Sequence, residues 1–249
     1  MTALAELFPP LALTVSAGPV MMRGISDEIL PELCDLARRG IHDAGEMPFY
    51  FPWTDAPEAD LARNTAAYHG RSRAEFSPGQ WGLHLAVFHE GRLVGTQGFE
   101  TTDYLVTRTG ETGSWLGREF QGQGIGTAMR QAVCALAFDH LGAVELTSGA
   151  FLDNPASLAV SRKVGYRPNG VQRLKRRAGE LALNLGLVLT PGDFVRGEHP
   201  VEVGGLAAVR AFVGLDWGRL VDPGPRLAES SLVSCTPGPS HPVEAVPFE

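Results

Sequence analysis

Cysteine is scarce in this chain. Three residues in 249, Cys34, Cys134 and Cys235, stand far apart and are odd in number. That pattern gives neither a disulfide framework nor a C-x-x-C metal knuckle, and no His-Asp/Asn set marks a thiol nucleophile. Basic charge is also short. Twenty-one Lys+Arg face 28 Asp+Glu, a formal net charge of -7, so the surface has no general attraction for nucleic acid. No window of about 18 apolar residues is present, which excludes a membrane-spanning helix. The apolar stretch from Leu7 to Met22 carries Pro9, Pro10 and Pro19 with no basic residue before it, a poor signal peptide. Internal repeats are absent. The expectation is a soluble cytoplasmic protein, monomer or homodimer, with no metal, membrane or nucleic-acid partner.

What is present suits a globular α/β protein, with 44% hydrophobic and 20% charged residues. Residues 1–213 are expected to form one domain, with a core over 11–190 and a short helical cap over 191–213. Residues 214–249 are read as a flexible tail, because 223–249 alone hold six of the 18 prolines. Within the core, residues 11–24 read as extended, and a helix is predicted from Ser26-Asp27 to Arg39. A second helix is expected over 56–75. Strands over 81–89 and 93–101 are joined by the hairpin signal Glu90-Gly91-Arg92, and another strand covers 113–120. Ile125, Met129, Val133 and Leu136 recur at helical spacing between Gly124 and Leu141. Residues 143–148 are a short strand. Asn154-Pro155 opens a helix that Gly165 stops, and 166–173 with 180–189 form an antiparallel pair. The order describes an α/β sandwich with a mixed sheet.

The stretch Gln121-Gly122-Gln123-Gly124-Ile125-Gly126-Thr127 lies between a strand and the most regular helix. Glycines let a ligand approach the backbone, and free N–H groups at a helix start cradle an anion such as pyrophosphate. A Walker loop needs a lysine that is missing here. The dinucleotide fingerprint needs a third glycine where Thr127 stands. The pattern that fits is Q-x-x-G-x-G; the plain alternative is a glycine-rich turn with no ligand.

With these residues in hand, the sequence resembles the GNAT superfamily of acyl-CoA N-acyltransferases, in its RimJ/RimL-like branch. Gln121–Gly126 matches that superfamily's [Q/R]-x-x-G-x-[G/A] loop for the acetyl-CoA pyrophosphate. Gly113-Ser114-Trp115-Leu116-Gly117 resembles the strand before the loop. Asp153-Asn154-Pro155-Ala156-Ser157 with Lys163-Val164-Gly165-Tyr166 resembles the branch's N-x-x-S…K-x-G-[F/Y] segment. The resemblance covers about residues 10–190. It implies a mixed β-sheet flanked by helices whose central strands splay to admit the pantetheine arm, with acetyl-CoA as co-substrate and an amine as acceptor. Trp115, Leu116, Gly117, the loop from Gln121 through Gly122, Gln123, Gly124, Ile125 and Gly126 to Thr127, Asn154 and Ser157 are then the expected CoA contacts. Many members protonate the leaving thiolate with a Tyr seven residues after the Asn. Ser161 occupies that position here, so the resemblance turns to Ser157.

The amine must lose a proton before it attacks, and no carried-over base aligns, because Arg173-Leu174-Lys175 stands where some relatives have Glu. Glu100 is the leading local candidate, with Asp103, Glu111 and Glu180 beside it; a water chain is the alternative. Phe49, Tyr50, Phe51 and Trp53, between the first two helices, are expected to line the acceptor site or to anchor a loop in the core. A basic run, Arg162, Lys163, Arg167, Arg173, Lys175, Arg176 and Arg177, suits either the CoA 3′-phosphate, an acidic acyl group such as succinyl, or a solvated face. A CoA-binding module without turnover, and a nucleotide-binding Rossmann protein, are the rival readings.

Overall fold

The structure is a computed structural model that describes residues 3–216; of the expected tail, residues 217–249 lie outside the described residues. In chain order the elements are α1 (Leu4–Leu7), β1 (Thr14–Ala17), β2 (Val20–Gly24), α2 (Leu30–Arg38), α3 (Glu58–Ala74), β3 (Gln80–His89) and β4 (Arg92–Thr102). There follow α4 (Tyr104–Thr107), β5 (Thr109–Leu116), α5 (Ile125–Ala135), β6 (Glu145–Phe151), α6 (Pro155–Val164), β7 (Arg167–Arg177), β8 (Glu180–Leu189), β9 (Glu202–Gly204) and α7 (Leu206–Phe212). The nine strands form one sheet in the order β7-β8-β6-β5-β4-β3-β2-β1-β9. Every pairing is antiparallel except β5 with β6. The mixed sheet flanked by helices is the architecture the sequence predicted.

Local chemistry explains most boundaries. Met129, Val133, Leu136 and Leu141 are buried, and the backbone passes from α-helix into a π-turn over Leu136–Leu141 before Gly142 ends it at φ 75°. In the β3–β4 hairpin Glu90 and Gly91 adopt φ 50° and 80°, the left-handed pair that matches the strand twist. Side chains alternate across β5. Trp115 packs beside Trp53 and Ala37 on the α2–α3 face, whereas Leu116 approaches Gly126 of α5 on the other.

Several expectations shift. Residues 11–24 are not one extended piece but a hairpin, turned at Gly18 with φ 58°. The first long helix begins at Leu30 rather than Ser26, after a turn over residues 27–29. The strand expected over 113–120 runs from Thr109 to Leu116, and a 3-10 turn (Arg118–Phe120) follows it. The expected helical cap over 191–213 is helical only in α7. Before it, residues 190–201 cross α5 as a strap, and β9 pairs with β1 at the far edge of the sheet. Gln131 donates to the Val195 carbonyl at 3.0 Å, Arg196 pairs with Asp139 at 2.6 Å, and Phe194 packs on Phe138. Among the described residues no helix is long and apolar enough to cross a membrane.

Candidate active site

β5 and β6 are paired only from Thr109↔Glu145 to Glu111↔Thr147. Beyond that rung β5 keeps β4 alone, and β6 keeps β8 alone. Two backbone edges are thus left facing a wedge. Its apex is stitched by hydroxyls: Ser148 Oγ donates to the Thr112 carbonyl at 2.9 Å, and Thr112 Oγ1 lies 2.7 Å from the Tyr166 hydroxyl. The splay expected of the central strands is therefore present.

The glycine loop stands at the open end of the wedge. Gly122 and Gly124 take φ 75° and 84°, which turns successive amides outward. Thr127 and Ala128 are the first residues whose N–H groups return to a carbonyl, that of Gly124. From Gly122 to Gly126 the N–H groups have no protein partner among the described residues. Gln121 braces the loop, donating to the carbonyls of Ile41 at 2.6 Å and Leu116 at 2.9 Å. Gln123 braces it too, donating to the Glu119 carbonyl. Ile125 is a core residue, and the Thr127 side chain makes no hydrogen bond among the described residues. Gly126 lies under α6, where a Cβ would meet Val160 at 3.5 Å.

On α6, Asn154 is the N-cap: its Oδ1 accepts the Ser157 N–H at 3.0 Å. The Ser157 carbonyl accepts from Ser161, and the Ser157 hydroxyl has no protein partner among the described residues. A cavity of about 790 Å³ lies on the other flank of α5, between its alanines and the strap. It reaches the loop at Gln123, Gly124 and Thr127, and no residue of β5 or β6 lines it.

The opposite face of the sheet carries titratable groups. Glu100 on β4 is 59% exposed; it accepts from the Tyr68 hydroxyl of α3 at 3.1 Å and lies 3.9 Å from His84 Nδ1 of β3. Glu111 is its cross-strand partner on β5. Burial, and then the Glu100 charge, raise the Glu111 carboxyl, with Arg130 opposing. Burial lowers His84 while Glu100 opposes, and burial brings the neighbouring His69 down to about 4. Burial and the Glu100 charge raise Tyr68, which keeps it a hydrogen-bond donor. Gly82 leaves the gap that lets these groups meet, since a Cβ there would lie 3.0 Å from His84 and 3.2 Å from Glu100.

The other candidates are divided. Phe49 and Trp53 pack together and Trp53 meets Trp115, while Tyr50 and Phe51 are 68% and 73% exposed. Arg177 holds this loop by a paired contact to Asp55 at 2.7 and 2.8 Å, which depresses the Asp55 carboxyl. Of the basic run, Arg167 pairs with Asp193 and Arg176 with Asp153 and Glu180. Asp103 caps α4 from a left-handed position beside Gly79, and Glu180 is committed to Arg176 and Arg177. Tyr68, His84 and Arg130 carried no motif. A register counted straight from Glu90-Gly91 sets His84 opposite Gln97, on the other face from Glu100; the register shift between Val87 and Phe88 pairs Gly82 with Glu100 instead and so brings His84 diagonal to it.

The family description Acetyltransferase (GNAT) domain matches residues 20–167. The chain belongs to this family. Its acyltransferase class follows from that membership. YdaF of Bacillus subtilis (strain 168), named as a candidate ribosomal N-acetyltransferase, is 30% identical over 92 residues; the match spans 37% of this chain and half of that relative. RimL, the ribosomal L7/L12 α-N-protein acetyltransferase, solved with coenzyme A, is similar at a TM-score of 0.56 and 16% identity, over 70% of this chain and 95% of that one. RimJ of Mycobacterium smegmatis, solved with CoA-disulfide, gives a TM-score of 0.59 and 18% identity, over 82% and 93%. At such identities the structural likeness shows the fold.

Proposed function

We propose that this acetyltransferase moves the acetyl group of acetyl-CoA to a primary amine by direct attack in a ternary complex. The observation that carries the reading is the row of free N–H groups from Gly122 to Gly126, beside strands that part. A helix start with open amides suits a pyrophosphate. The edge of β5 beyond Glu111, which has no strand beside it and where Gln121 holds the Leu116 carbonyl, suits the amides of a pantetheine arm. That RimL is solved with coenzyme A supports the same ligand here.

On the other face Glu100 and Glu111 create a negative field that favours an incoming R–NH3+. Glu100 takes the amine's proton, directly or through water, with Tyr68 and His84 fixing its carboxylate. Ser157, fixed by Asn154, offers its free hydroxyl to the CoA sulfur. Phe49 and Trp53 form the rigid wall of the acceptor approach, and Tyr50 and Phe51 its exposed rim. The acceptor is a protein N-terminus or a small amine; the names of YdaF and RimL favour the former. A succinyl donor is disfavoured by the ion pairs that occupy Arg167, Arg176 and Arg177.

The test is a thermal-shift titration with acetyl-CoA on the wild type and on Gly124→Trp, followed by CoA release across a panel of amines and peptides. Ligand at 100 times its Kd adds about 2.7 kcal/mol of stability, roughly 5–10 °C for a chain of this size. The expected result is that shift in the wild type and none in the folded variant. No shift with any acyl-CoA would overturn the reading, and binding without CoA release would make the protein a CoA-binding module.

A further inference from the structure

Arg130 is a buried cation without a contacting counter-charge among the described residues. It projects from α5, is 4% exposed, and has no carboxylate within 4 Å among the described residues. Its only hydrogen-bond partners are hydroxyls: Nη1 donates to Ser148 Oγ at 3.2 Å and Nη2 to Ser114 Oγ at 2.9 Å. Nε is buried with no partner, and the guanidinium stands 5.9 Å from the Tyr166 ring centroid. Arg176 makes the contrast. It is buried almost as deeply, yet it has both Asp153 and Glu180. An uncompensated buried charge is costly to keep, so the place where Arg130 is kept is informative.

That place is the throat of the wedge. Ser148 is the first residue of β6 after the last rung shared with β5, and Ser114 lies three residues beyond that rung on β5. One guanidinium therefore spans the two strands where they part. The titratable groups around it are Cys134 on its own helix, Tyr166 after α6 and Glu111 on β5. Burial holds the thiol and the phenol neutral, raising Cys134 to about 11. Glu111 belongs to the alternate face of β5 from Ser114. Glu111 feels the Arg130 charge from that other face, but among the described residues no carboxylate touches the guanidinium.

We infer that Arg130 is the electrostatic partner of the CoA sulfur, stabilising the thiolate as it leaves. This rests on the acyl-CoA reading above. In the step the amine nitrogen forms the C–N bond and the C–S bond breaks with its electron pair on sulfur. One ammonium proton passes to Glu100 or water before the attack, and the second N–H proton passes to water as the amide forms. Arg130 stays protonated throughout, so no further reactant is required. Ser157 supplies a local hydrogen bond and Arg130 supplies the charge. A guanidinium that merely ties β5 to β6 would be indifferent to whether the ligand carries sulfur.

Calorimetry of CoA and of desulfo-CoA between about pH 6 and 9 separates these roles. A free thiol titrates near 8.5, and a nearby cation lowers that value. In the wild type, CoA affinity should rise with pH by about tenfold or more relative to desulfo-CoA, a tenfold rise being one unit of thiol pKa. Arg130→Gln should abolish that difference while still binding desulfo-CoA, and should lower kcat on the order of 100-fold with little change in KM for acetyl-CoA. Arg130→Lys, which keeps a charge, should retain part of the rise. Identical pH dependence of the two ligands in the wild type would overturn the inference even if Arg130→Gln fails to fold. So would a difference that survives in a folded Arg130→Gln. If neither ligand binds at any pH, the acyl-CoA reading itself falls, and this inference with it.

Discussion

On the proposed reading, the two faces of the sheet meet their ligands by opposite means. On the α5–α6 face the chain offers backbone: the amides of Gly122 to Gly126, the bare edge of β5, and Asn154 holding the start of α6. On the α2–α3 face it offers side chains gathered from four elements: Tyr68, His84, Glu100 and Glu111. A backbone site is fixed by turn geometry and so comes from one contiguous segment. A side-chain site can be assembled only when distant strands fall into register. One face thereby suits an invariant co-substrate and the other a variable acceptor, which is the division a two-substrate transferase needs.

The comparison can be broken most severely at Glu100. If the acceptor face supplies the proton acceptor, Glu100→Gln should lower kcat/KM by about 10²–10⁴ at neutral pH while leaving the acetyl-CoA thermal shift intact. A loss of CoA binding in parallel would mean that the faces are not separable. Next comes acid. His69 is 8% exposed and brought by burial to about 4. It is neutral in the fold but protonated in the unfolded chain below about 6.5. Stability should therefore be full above that value and fall as pH drops towards about 4, by up to about 3 kcal/mol. Melting curves across this window should show the slope in wild type and a shallower one in His69→Gln. An equal slope in both would move the cause elsewhere.

Smaller effects sharpen the same contrast. At Gly95 a Cβ would lie 2.1 Å from the Trp115 carbonyl, so β4 must yield where it meets β5. Gly95→Ala should cost about 1–3 kcal/mol in chemical denaturation and weaken CoA binding as well, because it displaces the strand edge at Trp115. Smallest is Phe51→Ala. At 73% exposure it should change stability by less than about 0.5 kcal/mol, with its effect confined to KM for the amine. An unchanged KM for every acceptor would remove Phe51 from the rim.

The same difference governs what the sequence disclosed. The Q-x-x-G-x-G loop, the Asn154 cap, Gly165 and the Glu90-Gly91 hairpin were all legible because each is settled within a few residues. Glu100 was picked out as a candidate, but its partners were not, because Tyr68 and His84 become neighbours only through the packing of α3 and the pairing of β3 with β4. Arg130 sits on an otherwise apolar helix face, and nothing in the spacing shows that Ser114 and Ser148 await it. The basic run looked like a single patch, yet Arg167, Arg176 and Arg177 are each committed to carboxylates at different points of the fold. β9 escaped notice for a plainer reason: three residues, Glu202–Gly204, are too few to carry an alternation.

That short strand also dates the completion of the sheet. Thr14 pairs with Gly204, so the first described strand of the sheet waits for the last described one before its outer edge is covered. On a ribosome making protein from the N-terminus, β1 keeps a row of open N–H and C=O groups until residues 202–204 have emerged. Nascent chains stalled before residue 202 should be the species most prone to pair edge to edge with one another, and release of the strap is the event that ends that hazard.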